Sequence, residues 1–221
     1  MDKGGNEIHT PSELAIKTPE KTDTGARIRC LYTDFGLEKS REGIKKAVFL
    51  DRDGVIVRDK HYISKPQDLE LLSEIVPVLK GLQKSFRLIV VTNQSGVARG
   101  MFTEEDLQTI NNKLIEILRD HGVELDAIYY CPHHPNLGLE GYNTDCECRK
   151  PKPGLLCRAA RDFNLNLDQS FLIGDQDSDI EAGRSAGVKT IRLNQNSDES
   201  DPIHKATYNI NSIKDAESII R

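Results

Sequence analysis

With 221 residues and a formal net charge of -5, the chain is long enough for one sizeable domain with an extension. It carries no bulk positive charge to attract nucleic acid, so no nucleic-acid partner is expected. No apolar run reaches the roughly 18 to 20 residues of a membrane span. The polar amino terminus lacks a signal-peptide core, so a cytoplasmic protein with no membrane contact is expected.

Residues 1 to 44 read as an extension, flexible or loosely docked. Lys, Glu, Thr, Gly and Asp are scattered there without period, and only Cys30-Leu31-Tyr32 with Phe35 offers a packing patch. From Lys45 onward strands and helices alternate. After Lys46, the four residues Ala47 to Leu50 form a short unbroken apolar run that stops at Asp51, the pattern of a fully buried parallel strand. Ser73 to Ser85 carries Ile75, Val78, Leu79 and Leu82 at helical spacing, with Pro77 tolerable only near the first turn. Arg87 to Val91 is a second buried strand. Thr103-x-x-Asp106 resembles a capping box that opens a helix, with Leu107, Ile110, Leu114, Ile117 and Leu118 as its inner stripe and Gly122 as its stop. Ala127 to Tyr130 is a third strand. Pro153 suits the first turn of the next helix, with Leu155, Leu156, Ala159 and Phe163 inward. Phe171 to Ile173 is a fourth strand, and Ser178 to Ala186 a helix closed by Gly187. Lys189 to Leu193 and Ala206 to Ile210 read as late strands, and Ser212 to Ile220 as a last helix. This alternation predicts an α/β fold with a central parallel sheet covered on both faces.

Three of the strands end in polar groups: Asp51 with Asp53, Thr92 with Asn93, and Asp175. In a parallel sheet the carboxyl ends of the strands share one rim, so these groups can converge there. Two carboxylates side by side are costly without a cation between them. Asp51 and Asp175 offer hard oxygens suited to magnesium. Asp51 can attack phosphorus as a nucleophile, and Asp53 can move the proton of the leaving oxygen. Thr92 offers a hydroxyl to phosphate oxygens, and Arg149 and Lys150 offer positive charge to a phosphoryl transition state. Singly, each residue reads equally well as a turn former, a helix cap or a solvated charge. Their joint order, each after a strand, is what carries the chemistry.

Asp51-Arg52-Asp53-Gly54-Val55, Val91-Thr92-Asn93-Gln94-Ser95-Gly96, Arg149-Lys150-Pro151-Lys152-Pro153-Gly154 and Ile173-Gly174-Asp175-Gln176-Asp177-Ser178-Asp179 resemble the four motifs of the haloacid-dehalogenase-like (HAD-like) phosphatase superfamily, over roughly residues 45 to 221. The resemblance implies a Rossmann-like three-layer sandwich, a magnesium ion and an aspartyl-phosphate intermediate. By position it implies Asp51 as nucleophile and Asp53 as general acid/base. It implies Asp51, the Asp53 backbone carbonyl and Asp175 as magnesium ligands, Lys150 as the charge clamp, and Asp179 as the residue that orients them.

Cys131-x-His133 followed by Cys146-x-Cys148 supplies three thiolates and an imidazole, a closed tetrahedral zinc set of the structural kind. His134 is the rival ligand to His133, and Cys30 and Cys157 read as packing residues. Tyr129 to Pro135, Cys146 to Pro151 and Asn93 to Gly100 resemble the D-glycero-D-manno-heptose 1,7-bisphosphate 7-phosphatases, near relatives of the histidinol-phosphate phosphatases. That resemblance implies a capless domain over 45–221 with a zinc loop at 131–148. It implies a small-molecule sugar phosphate as substrate, contacted by Asp59, Tyr62, Asn93, Gln94, Ser95 and Gln176 together with Arg149 and Lys150. Gln176 stands where the heptose enzymes are expected to carry a basic residue, and Lys60 and His61 also depart from the usual loop. The function expected is removal of the 7-phosphate, by a monomer. Histidinol-phosphate phosphatase and a non-catalytic phosphosugar-binding module are the alternatives.

Overall fold

The structure, a computed structural model, describes residues 29–32 as backbone, and residues 43–194 and 206–220 in full. Its strands are β1 (Arg29–Tyr32), β2 (Ala47–Leu50), β3 (Arg87–Asn93), β4 (Ala127–Cys131), β5 (Phe171–Gly174), β6 (Lys189–Leu193) and β7 (Tyr208–Ile210). Its α-helices are α1 (Ile75–Leu82), α2 (Glu104–Asp120), α3 (Gly154–Phe163), α4 (Asp177–Ala186) and α5 (Ala216–Ile219). Among the described residues the strands form one sheet in the order β1-β4-β3-β2-β5-β6-β7. Every pairing from β4 to β7 is parallel.

Strand alternation builds the three layers. Along β2, Val48 and Leu50 face one apolar cluster while Ala47 and Phe49 face the other. The first cluster is closed by side chains of α1, α2 and α5, the second by α3 and α4. All four β2 residues are fully buried, and each large aliphatic side chain so placed contributes roughly 1.5 to 3 kcal/mol. A strand with no wet face must be apolar throughout, which is why the run from Ala47 to Leu50 is unbroken.

The topology fixes where a ligand can sit. The chain runs outward from β2 through β3 to β4, then returns to the other side of β2 for β5, β6 and β7. The reversal therefore lies between β2 and β5, next to β3. The crevice beyond the strand ends at such a switch point is where open α/β sheets bind ligands.

Several expected elements shift. The antiparallel strand β1, which pairs Arg29 with Tyr130 and Tyr32 with Ala127, lies inside the stretch read as an extension. Apart from β1 and residues 43–44, that stretch falls outside the described residues. Helix α1 starts at Ile75 rather than Ser73, which leaves Pro77 in the first turn, where its missing N–H costs nothing. In α2 the inner stripe is Leu107, Ile110, Asn111, Leu114, Ile115 and Leu118. Ile117 is only half-buried because it lies almost a quarter turn off the centre of that stripe. The capping box is present: Thr103 Oγ1 accepts from Asp106 N at 3.1 Å, and Asp106 Oδ2 accepts from Thr103 N at 2.8 Å. Pro153 is the N-cap of α3 rather than its first residue. The late strand shortens to β7, and the helix expected over 212–220 divides into a 3-10 turn, Ile213–Asp215, and the single turn α5.

Candidate functional site

Asp51 begins the loop after β2. Its backbone N–H donates to Ile173 O of β5 at 3.0 Å, so the first residue beyond the strand is still held by the sheet. Lys150 reaches the same point. Its Nζ donates to Asp51 Oδ1 and to the Val91 carbonyl, both at 2.8 Å, and lies 2.5 Å from Asp179 Oδ1. Lys150 is buried, and burial alone would discharge the ammonium. The carboxylates of Asp179 and Asp51 outweigh that and hold its pKa above the ordinary lysine value. Burial pushes Asp51 upward against the pull of Lys150, with Asp179 and Asp53 adding repulsion. Burial likewise pushes Asp175 up to about 6, opposed by the amide of Gln176.

Asp51, Asp175 and Asp179 present carboxylate oxygens that all lie within 4.8 Å of one another. Asp175 Oδ1 is buried with no hydrogen-bond partner. A buried acceptor left bare among carboxylates is costly, and a hard divalent cation meets that need. The donor set therefore fits magnesium. The Asp53 side chain lies outside this group and is turned instead toward Arg52 and Gln94.

Two glycines make the close approach of these acids feasible. A Cβ on Gly54, whose φ is +82°, would stand 2.3 Å from Asp175 Oδ2. One on Gly174 would stand 2.3 Å from the Cβ of Asp179.

The remaining expected site residues are engaged in different ways. Thr92 and Gln94 are buried beside Asp53: Gln94 Nε2 donates to Asp53 Oδ2 at 2.8 Å and to Thr92 Oγ1 at 2.9 Å. The Asn93 side-chain amide grips the backbone of Lys150, accepting from its N–H and donating to its carbonyl, both at 3.1 Å. Ser95 is half-buried. Gln176 is exposed, and its Nε2 donates to Asp175 Oδ2 at 3.1 Å. Arg149 Nη1 donates to the His133 carbonyl at 3.1 Å. Asp59 and Tyr62 lie on an exposed loop, where Asp59 Oδ1 accepts from His61 N at 2.7 Å.

Cys131, His133, Cys146 and Cys148 form a second, buried group within the same 4.8 Å limit. The sulfurs are 3.4, 3.4 and 3.0 Å apart, and His133 Nδ1 is 3.4 Å from Cys148 Sγ. Those separations are far longer than a disulfide bond of about 2.05 Å. They approach the edges of a tetrahedron with metal–sulfur bonds of about 2.3 Å. His133 Nδ1 is the nitrogen aimed at the sulfurs, whereas His134 is outside the group and its Nδ1 accepts from Asn136 N at 3.2 Å. The loop is tied to the crevice by backbone bonds from Gln94 N to Cys131 O, 2.7 Å, and from Ala98 N to Pro132 O, 3.2 Å.

Two residues of the site escape a reading by motif. Arg52 and Asn111 lie behind Asp53, buried and hydrogen-bonded to each other at 3.3 Å. A guanidinium flanked by two aspartates directly after a buried strand was the available signal for Arg52. Asn111 offered none, because it sits among apolar residues on a helix stripe.

The profile of the HAD-hydrolase-like family matches residues 147–216. The D-glycero-beta-D-manno-heptose-1,7-bisphosphate 7-phosphatase of Haemophilus ducreyi is 45% identical over 148 residues, covering 66% of this chain and 81% of its own. The protein of the same name from Pasteurella multocida is 38% identical over 181 residues, 80% of this chain and 98% of its own. Among solved structures, the crystal structure of D,D-heptose 1,7-bisphosphate phosphatase from B. bronchiseptica, complexed with magnesium and phosphate, has a TM-score of 0.69 at 27% identity. That match covers 79% of this chain and 97% of the other.

Proposed function

Because the chain belongs to the HAD-like phosphatases, in the family of the heptose-1,7-bisphosphate 7-phosphatases, we propose that it hydrolyses the 7-phosphate of D-glycero-D-manno-heptose 1,7-bisphosphate. The observation that carries this reading is the Lys150 ammonium wedged between Asp51 and Asp179 at the strand ends, with Asp175 beside them.

Asp51 Oδ2, the oxygen not hydrogen-bonded to Lys150, attacks phosphorus in line. A P–O bond to Asp51 forms as the bond to the sugar oxygen breaks, and Asp53 gives that oxygen its proton. Asp53 then takes a proton from the water that hydrolyses the aspartyl-phosphate. Lys150 orients Asp51 and favours its ionised form against the effect of burial. Thr92 presents its hydroxyl to the phosphoryl oxygens. Asp51, Asp175 and the Asp53 carbonyl, with Asp179 alongside, would hold magnesium, which would supply the further positive charge those oxygens need. Cys131, His133, Cys146 and Cys148 would hold zinc, which would fix the shape of the loop beside the crevice. Arg149, Asn93, Gln94, Ser95 and Gln176, with Asp59 and Tyr62 on the facing loop, form the sugar-phosphate surface.

Residues 45–221 carry the reaction in this reading, with residues 1–44 adding the edge strand β1. The enzyme works as a monomer in the cytoplasm. Among the described residues no helix is long and apolar enough to cross a membrane.

The test is phosphate release with magnesium, comparing the heptose bisphosphate with histidinol phosphate. Preferred release from the heptose bisphosphate, abolished in Asp51→Asn, is expected. A large preference for histidinol phosphate overturns the substrate, and release from neither ester overturns the reaction.

A further inference from the structure

We infer that Arg52, anchored by Asn111 of α2, is a positioning residue that holds the Asp53 carboxylate in the orientation from which it protonates the leaving oxygen. This inference rests on the phosphatase reading above.

Arg52 is 1% exposed and is among the largest fully buried side chains in the described residues. Its guanidinium is directed entirely inward. Nε and Nη2 reach Asp53 Oδ2 at 3.2 and 2.9 Å and Oδ1 at 3.3 and 3.1 Å. Nη2 also donates to Gln94 Oε1 at 2.9 Å, and Nη1 to Asn111 Oδ1 at 3.3 Å. Its nitrogens are engaged by Asp53, Gln94 and Asn111, so its effect passes through the groups it holds, Asp53 with four of the contacts first among them.

The cost of burying a guanidinium argues for a task beyond packing. An isolated buried charge is unfavourable by several kcal/mol, and pairing offsets this only with good geometry and satisfied donors. Here the fork geometry of arginine matches the flat carboxylate, which a lysine could not reproduce. Gln94 completes the frame, since its Nε2 donates to Asp53 Oδ2 at 2.8 Å. The Oδ2 edge thus holds the two shortest contacts, and Oδ1 is the oxygen more loosely held. Oδ1 is then the atom that exchanges the proton, while Oδ2 keeps the carboxyl plane fixed. Asn111, fully buried in the middle of α2, ties that plane to a rigid element instead of a loop.

The step concerned is P–O cleavage: the bond from Asp51 to phosphorus forms, the bond to the sugar oxygen breaks, and the Asp53 proton goes to that oxygen. A sugar alkoxide needs the proton, whereas p-nitrophenolate leaves without it. The readout is therefore the ratio of kcat/KM for the sugar phosphate to kcat/KM for p-nitrophenyl phosphate. These constants report steps up to the first irreversible one, so the later hydrolysis of the aspartyl-phosphate, common to both esters, does not mask the effect.

In the full-length magnesium-loaded enzyme, Arg52→Met is expected to lower that ratio at least tenfold, and Asn111→Leu several-fold. Arg52→Lys should recover only part of the loss. A wild-type ratio in both Arg52→Met and Asn111→Leu, whatever happens to the absolute rates, overturns the inference. If Arg52→Met does not fold, Asn111→Leu decides alone, because it replaces a buried side chain by one of similar volume. Wild-type turnover of both esters is measured first, so a failure of the phosphatase reading itself appears before any variant is compared.

Discussion

Gly54 lies against the carboxylate of Asp175, so close that a methyl group on Gly54 would stand 2.3 Å from Asp175 Oδ2. Its φ of +82° adds a second demand for glycine, since an L residue in that region costs roughly 1 to 2 kcal/mol. Gly54→Ala is expected to displace Asp175 and raise the magnesium concentration for half-maximal activity by at least tenfold, with a modest drop in Tm. Magnesium titration of activity checks this. An unchanged titration midpoint would mean that Asp175 does not help hold the ion.

Lys150 neutralises two buried acids at once, Asp51 at 2.8 Å and Asp179 at 2.5 Å. Lys150→Met leaves these carboxylates facing each other without a cation. Removing one member of a buried pair costs about 3 to 5 kcal/mol, and losing a charge aimed at a phosphoryl group costs about 10²- to 10³-fold in rate. Added magnesium should return more of the lost Tm in this variant than it adds to the wild type. Equal magnesium gains in the two proteins would count against shared neutralisation.

The thiolate cluster is expected to hold one zinc per chain, measurable by elemental analysis. Cys148→Ser should lose that zinc and lower Tm. It should also lower phosphatase activity, because Gln94 N bonds Cys131 O and Arg149 bonds the His133 carbonyl. The loop carrying the cluster therefore braces residues at the crevice. Full activity in zinc-free protein would show that the brace is unnecessary.

At the start of α2 the bonds from the Thr103 backbone and hydroxyl hold the Asp106 carboxyl below its usual range. A group whose folded pKa is depressed adds stability that is complete above its unfolded pKa, near 4. That stability is lost as pH falls through the lower folded value. Asp106→Asn should consequently lower Tm at neutral pH and flatten the acid side of the Tm-against-pH curve. Parallel curves for wild type and variant would remove the carboxylate from the account.

How much of this was legible in the chain depends on the range of the interaction. The buried strands declared themselves because Ala47 to Leu50 and Leu88 to Val91 are apolar without a break. The α2 cap did so because its partners are three residues apart. Local periodicity had less to say about the end of the chain, where the segment expected as one helix divides at Ala216. It was silent about β1, whose pairing with β4 joins residues far apart in sequence.

The same division runs through the candidate site. Residue order and type alone determined that Asp51, Asp53 and Asp175 come just after strands, that Thr92 sits at the end of one and Lys150 in the loop beyond another, and that three cysteines and a histidine share that loop. Only the tertiary structure decided how each side chain is engaged. It placed His133 rather than His134 beside the three cysteines, brought Asp179 onto Lys150, turned Asp53 toward Arg52 and Gln94, and drew Asn111 in from α2. The reason is physical: a motif fixes which groups leave the sheet at one rim. A hydrogen bond across 59 residues, such as Arg52 to Asn111, depends on how helix and sheet pack, and no local pattern encodes that.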